Sequence, residues 1–331
     1  MSVAAVDLTG VSPVLDKSVG ARLELVERAL HAAVGTDEPV VSEAARHLLD
    51  AGGKRFRPLL TLVAAQLGDP DAPGVVPAAL VIELTHLATL YHDDVMDEAV
   101  LRRGAPAANR VWGNSVAILT GDYLFARASD IAADLGTEMV RIQARTFARL
   151  VRGQVRETVG PAEGVDPLGH YLSVVSDKTA SLVSTAARFG GMASGVDAAT
   201  VALLAEFGER IGVAFQLADD LLDVTSDSVR SGKTPGTDLR EGVPTLPVLL
   251  ALRSVDPADA RLRDLVSRPL SDDAEVAETL QLLRAHPAVE HAHRIVLDRA
   301  DLARETLRSL PVGPARDALD AVAVALADRD R

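Results

Sequence analysis

Apolar positions recur every three to four residues along most of the chain, and strict alternation is rare, so the pattern is that of packed helices. From Asp16 to about Val34, Leu23, Val26, Ala29, Leu30 and Ala33 mark one helical face. A second helix is predicted to end near Ala51, where Gly52 and Gly53 stop it, and Pro58 suits the first turn of the next. Residues 75–98 read as one long helix, followed by helices over 114–135, 137–159 and 198–225. The stretch 166–190 is predicted to be helical, with an irregularity around Ser176–Thr179. Residues 226–242, rich in Gly, Asp, Ser and Thr, read as a loop, and short helices punctuated by Pro fill the rest. Residues 1–15 are expected to form a flexible arm. With no strand, repeat or linker evident, the expectation is an all-α fold: a single domain over residues 16–331 with a buried centre.

Composition narrows the function classes. Of 331 residues 48% are apolar, enough for a sizeable core. Lys plus Arg total 34 against 47 Asp plus Glu, a net charge of −13. That charge argues against nucleic acid as a partner and against a polybasic membrane anchor. There is no cysteine, which excludes disulfides, thiolate nucleophiles and Cys-ligated metals. No apolar run reaches the length of about 18 residues that marks a spanning segment, and the first residues, M-S-V-A-A-V-D-L-T-G, lack the basic and apolar regions of a secretory signal. The expectation is a cytoplasmic protein without a transmembrane segment.

Two predicted helices carry the same acidic pattern. Asp93, Asp94 and Asp97 stand in H-D-D-V-M-D, and Asp219, Asp220 and Asp223 in Q-L-A-D-D-L-L-D. In each, the first and last Asp are one helical turn apart and share a face. Both clusters fall late in their helices, where the macrodipole is already negative, and both continue an apolar stripe. A single such run reads equally well as a solvated acidic face. Two copies on inward faces need a counter-charge, and an all-oxygen ligand set favours Mg²⁺, which shares its sphere with substrate phosphates. The pair therefore points to a diphosphate clamped between helices.

Candidate cations stand nearby in sequence: Lys54, Arg55 and Arg57 in A-G-G-K-R-F-R-P, Arg102 and Arg103 in L-R-R-G, Lys178 beside Thr179 in S-D-K-T-A, and Lys233 in S-G-K-T-P-G-T-D-L. Any one alone reads as a solvated surface residue; their association with Gly hinges and Asp clusters changes that weight. The G-K-T at 232–234 is not a P-loop, because the position that needs the first Gly is Asp227 and no strand precedes it. His86, one turn from Glu83, reads as a core histidine or a phosphate donor.

This ordered set resembles the trans-isoprenyl diphosphate synthases, or polyprenyl synthetases. The resemblance runs from about residue 20 to the end and rests on G-G-K-R-F-R-P, H-D-D-V-M-D-E-A-V-L-R-R-G, G-D-Y-L-F-A-R-A, D-K-T-A, F-Q-L-A-D-D-L-L-D and G-K-T-P-G-T-D-L. It implies a polyprenyl synthase domain over 16–331, an isoprenoid synthase-type helical bundle around a central active-site cavity, usually a homodimer. It also implies a reaction: an allylic diphosphate ionises, isopentenyl diphosphate attacks the cation, and a proton is lost, with departing pyrophosphate as the expected acceptor. By the same resemblance, Asp93, Asp94, Asp97, Asp219 and Asp223 would hold Mg²⁺, with Asp220 in support. Arg102, Lys178 and Lys233 would hold the allylic diphosphate, and Lys54, Arg57, His86 and Arg103 isopentenyl diphosphate. Thr179 and Gln216 would lie beside the reacting carbons. One departure stands out: Val243 occupies the place where many members carry a second loop Lys, and Arg240 is one candidate to replace it.

Product length is expected to be set on the helix before Asp93. Ala88 and Thr89, five and four positions upstream, are small, where short-chain members carry aromatics. Leu84 and Thr85 come next along that helix, whose rise per turn of about 5.4 Å is close to one isoprene unit. The expectation is a medium- or long-chain product. The alternatives are a short-chain (geranylgeranyl or farnesyl) synthase and, from another class, a non-catalytic partner subunit of a heteromeric synthase. Both intact Asp clusters argue against the partner subunit.

Overall fold

A computed structural model describes residues 11–226 and 235–327 of the chain. Helices make up nearly all of its regular structure, as the periodicity predicts. Its contacts divide into two compact units, each discontinuous in sequence. Of the described residues, the first takes 11–148, 182–208 and 307–322; the second takes 149–181, 209–226, 235–306 and 323–327.

The first unit begins with α1 (Pro13–Ala33), α2 (Pro39–Asp50), α3 (Phe56–Ala65) and α4 (Val75–Met96). Helix α1 starts at Pro13 under a Ser12 cap and buries Leu15. The expected arm is therefore already helical at its end, because the Ser-Pro start signal outweighs the weak apolar pattern there. Helix α4 alone among the described helices is long and apolar enough to cross a membrane. Most of its apolar residues between Val75 and Tyr91 are buried, which is the environment of a core helix. Helix α5 (Ala108–Leu135) contains a break at Gly113, whose φ of 80° interrupts the helix one residue before the predicted start at Asn114. Against α4, Gly121 of α5 sits where a Cβ would come within 2.4 Å of the His92 ring and 3.0 Å of the Ala88 carbonyl. The G-D-Y motif is thus a close helix crossing.

A two-residue ladder, β1 (Leu101–Arg102) with β2 (Ala105–Pro106), lies between α4 and α5. It corrects the expectation of no strand. Its turn is Arg103-Gly104, both at positive φ (53° and 77°), the backbone of a type I′ hairpin.

The first unit is completed by the start of α6 (Thr137–Val159), by α8 (Ser181–Ala193), by the start of α9 (Ala198–Thr225) and by residues of α15 (Pro314–Ala327). Gly190 of α8 meets the Thr61 carbonyl so closely that a Cβ would fall 2.1 Å from it.

The second unit holds the rest of α6 and α9, with α7 (Pro167–Val175), α10 (Thr237–Glu241), α11 (Leu246–Leu252), α12 (Ala260–Leu265), α13 (Asp273–Ala285) and α14 (Pro287–Leu307). Helix α10 corrects the reading of 226–242 as all loop. Its Gly236 and Gly242 bound it in the left-handed region, and Leu239 anchors it in the core. Leu217, Leu221 and Val224 of α9 pack there with Leu246, Leu265, Leu283 and Val296. Between α7 and α8, residues Ser176–Ala180 form a π-turn, at the place where the sequence predicts irregular helix. Such turns are rare and concentrate at functional sites.

Candidate active site

The first unit builds a basic pocket. Arg55 caps α3 with a left-handed φ of 47° and is only 5% exposed. Its guanidinium makes two 2.8 Å bonds to Glu27, one of 3.2 Å to buried Glu83 and one of 3.2 Å to the Leu49 carbonyl. Arg55 is therefore a structural anchor, and its pairing leaves the pocket to its neighbours. Gly53 lies against the Arg55 and Arg103 guanidiniums, closer than a side chain would allow. Arg103, at the hairpin turn, donates to the Leu48 carbonyl at 2.9 Å and to the Gly52 carbonyl. Arg57 keeps its Nε buried without a partner.

The electrostatics of this cluster are those of an anion site. Burial lowers the pKa of Arg57 and of Arg103, and Glu83 opposes that shift in both. His86 is held well below its usual value by burial and then by Arg57, Arg103, Arg102 and Arg55. It is a neutral imidazole facing guanidiniums. Lys54, also assigned to this group by the sequence, is exposed at its edge.

Asp94, near the end of α4, is fully buried. Arg102 Nε donates to its Oδ1 at 2.6 Å, and its Oδ2 is buried with no partner. An orphaned carboxylate oxygen costs about 1–3 kcal/mol, so this atom fits a site that takes a cation. Asp93 is half-buried, and Asp97 caps the helix in solvent. Among the described residues no three acidic or His side chains converge as a preformed cage. Mg²⁺ commonly takes one or two carboxylates and completes its shell with water and phosphate. The donor set therefore suits it.

The second unit gathers the other acidic cluster with more acid than the sequence reading assigned. Burial, then Asp219 and Asp223, push Asp220 up to about 6, against hydrogen bonds from Tyr171 and Gln216. Asp238 is pushed up to about 8, by burial first and then by Asp220, Asp223 and their neighbours. Asp223 accepts from the Thr237 and Asp238 amides at 3.3 and 3.2 Å, which ties the start of α10 to the cluster. Thr179 Oγ1 donates to Gln216 Oε1 at 2.9 Å, and Gln216 Nε2 to Asp220 Oδ1 at 2.7 Å. Tyr171 donates to the other Asp220 oxygen. Lys178 is ion-paired with Glu157.

The structure thus brings together Arg57, His86, Arg102, Arg103 and Asp94 in one unit, and Thr179, Gln216, Asp219, Asp220 and Asp223 in the other. Lys233 lies outside the described residues. Arg240, the candidate to replace the Lys missing at Val243, pairs with exposed Asp273 of α13 at 2.8 Å. Leu84, Thr85 and Ala88 are buried, and Thr89 is half-buried. Sequence reasoning missed Asp238, Tyr171 and Glu157. Asp238 had a signal, in the D of G-T-D-L; the other two had none.

The family model for polyprenyl synthetases matches residues 38–283. Nonaprenyl diphosphate synthase of Mycobacterium tuberculosis is 53% identical over 97% of this chain and 95% of its own. A crystal structure of geranylgeranyl pyrophosphate synthase from Corynebacterium glutamicum, with calcium and isoprenyl diphosphate, is 43% identical with a TM-score of 0.85. It covers 96% of this chain and 98% of that one. A polyprenyl synthase of Caulobacter crescentus, also with calcium and isoprenyl diphosphate, is 32% identical with a TM-score of 0.88 over 99% of both chains. With a family model over most of its length and relatives that span it nearly end to end, this chain belongs to the polyprenyl synthetase family of all-α trans-prenyltransferases.

Proposed function

We propose that this chain elongates an allylic diphosphate with isopentenyl diphosphate in a Mg²⁺-dependent reaction, making an all-trans medium- or long-chain polyprenyl diphosphate and releasing pyrophosphate. We further place it in the cytoplasm as a homodimer. The observation that carries the reading is the first unit's pairing of the Arg57 and Arg103 guanidiniums, grouped around neutral His86, with Asp94 and its unpartnered buried oxygen.

Asp93, Asp94 and Asp97 in the first unit, and Asp219 and Asp223 in the second, would each hold Mg²⁺. Bound there, it would neutralise charge that develops on the leaving pyrophosphate. Arg57, held by burial, and Arg103, held by burial and by bonds to the Leu48 and Gly52 carbonyls, hold the isopentenyl diphosphate with His86 and Lys54. These cations position the isopentenyl diphosphate, which keeps its own diphosphate; the charge that develops in the reaction falls on the allylic diphosphate, and cations fixed around that group stabilise it most. Arg102, Lys178 and Lys233 are assigned to the allylic diphosphate. Neutral His86 offers a hydrogen bond without adding charge to an already cationic pocket.

Small Ala88 and Thr89 support the longer product, as does the 53% identical relative named for nonaprenyl diphosphate. The 43% identical geranylgeranyl pyrophosphate synthase keeps the short-chain reading in view. The homodimer is supported by exposed Val111, Ile118 and Leu119 of α5, an apolar surface for a second copy to cover. The test is pyrophosphate release by the purified protein. Release should need both substrates and Mg²⁺ and stop with EDTA. Release from either substrate alone, or none with both, would refute the reading.

A further inference from the structure

Helix α6 and the π-turn approach each other at backbone distance. A Cβ on Gly153 would fall 2.7 Å from the Lys178 amide nitrogen and 3.0 Å from Lys178 Cα. Only glycine permits that approach. On both sides of Gly153, arginines of α6 turn to one carboxylate in the π-turn, Asp177. Arg149 Nε donates to Asp177 Oδ1 at 2.9 Å, Arg152 Nε to Oδ2 at 2.9 Å and Arg156 Nη1 to Oδ2 at 3.0 Å. Asp177 is 7% exposed. Burial works to raise its pKa, but the Arg152 and Arg149 bonds prevail and hold the carboxyl below its usual range.

The clamp reaches further. Arg149 also donates to the Ser176 carbonyl at 3.2 Å and to both oxygens of Glu209 on α9, at 2.9 and 2.7 Å. Ser181 Oγ closes the turn on the Asp177 carbonyl at 2.7 Å. A π-turn carries one residue more than an α-turn and persists where its surroundings over-determine it. Here the surroundings are ionic on one side of Gly153 and on the other, with backbone contact between. The next two residues are Lys178 and Thr179.

We propose that Asp177 is a positioning residue: clamped by three arginines of α6, it fixes the π-turn so that the Lys178 ammonium meets the allylic diphosphate while the Thr179 hydroxyl lies beside the reacting carbons. The inference rests on the roles given above to Lys178 and Thr179.

The test compares Asp177→Asn, Asp177→Glu, Gly153→Ala and Lys178→Ala in the full chain, with farnesyl and isopentenyl diphosphates and Mg²⁺. Asp177→Asn keeps the shape and removes the charge; Gly153→Ala pushes the turn and keeps the charge. Both are expected to lower kcat about 10- to 100-fold, the scale of a misplaced catalytic group. KM for isopentenyl diphosphate should stay within about two-fold, because that pocket is untouched. Helix content should stay near that of the wild type, rates are read per folded protein below each variant's thermal midpoint, and Asp177→Glu should recover part of the loss. If Lys178→Ala is fully active, the role of Lys178 is wrong and this inference goes with it. If Lys178→Ala is impaired while Asp177→Asn and Gly153→Ala turn over normally, the inference alone is overturned. Loss of activity in both variants only in proportion to lost folded protein would also overturn it.

Discussion

Glu83→Gln removes one carboxylate from beneath the basic pocket and leaves its shape intact. Arg55 and Glu83 are 4% and 3% exposed in their side chains and 3.2 Å apart. At an effective dielectric constant of about 20, unit charges at that distance attract by about 5 kcal/mol. Two terms reduce the loss. Gln still accepts a hydrogen bond from the charged guanidinium, worth about 1.5–3 kcal/mol, and Arg55 keeps its two bonds to Glu27. The expected destabilisation is about 2–4 kcal/mol, at the low end of the cost of breaking a buried pair. Glu83 is also the carboxylate that opposes the depressed pKa values of Arg57 and Arg103. Its loss leaves an excess of positive charge that a bound anion relieves. Urea unfolding followed by circular dichroism, with and without pyrophosphate, reads both effects. The variant should unfold at lower urea, and pyrophosphate should raise its midpoint more than that of the wild type. A loss under about 0.5 kcal/mol, the range of ordinary surface changes, or an equal response to pyrophosphate would refute the reasoning.

Three further outcomes follow from the same geometry. Asp94→Asn should abolish the thermal shift produced by Mg²⁺ with pyrophosphate and lower kcat at least about 100-fold, since metal charge stabilisation is worth several kcal/mol; a normal shift would remove Asp94 from the metal site. Ala88→Phe should shorten the product, at a packing cost of about 1–3 kcal/mol; unchanged product length would sink its assignment to the tunnel. His86 has a folded pKa well below its unfolded value near 6.5, so in the unfolded chain it takes up a proton that it refuses when folded. Its contribution is intact above about pH 6.5 and is lost as pH falls below that value. Unfolding midpoints between pH 7 and 5 should therefore fall more steeply for the wild type than for His86→Gln, and parallel slopes would show otherwise.

Long helices with regular apolar spacing were legible from sequence, as at 137–159 and 198–225, where the observed bounds agree with the predicted ones. The π-turn was legible only as disturbed periodicity, because one extra residue shifts the apolar phase without a breaker to mark it. The hairpin at Leu101–Pro106 was not legible: two residues per strand are too few for alternation, and its turn places Arg103 where Asn or Gly is usual. That choice has a physical reason, since the turn aims Arg103 at the Leu48 and Gly52 carbonyls. In the site, the Asp clusters were readable because their spacing is local. Arg55 was read only as one more basic residue of G-G-K-R-F-R-P, and its true role depends on Glu27 and Glu83, 28 residues away on either side. Tyr171 and Glu157 were invisible for the same reason: nothing in sequence marks the partner of Asp220 or Lys178.

The central claim is chain elongation to a medium- or long-chain product, and product size tests it most directly. Purified protein would be incubated with farnesyl diphosphate, excess isopentenyl diphosphate and Mg²⁺, and the dephosphorylated product sized by reversed-phase chromatography. With each helical turn cleared by small residues admitting about one isoprene unit, the account predicts a product of about seven units or more that disappears with EDTA. A product that stops at about four units would contradict the assigned chain length, and the absence of any Mg²⁺-dependent product would contradict the assigned reaction.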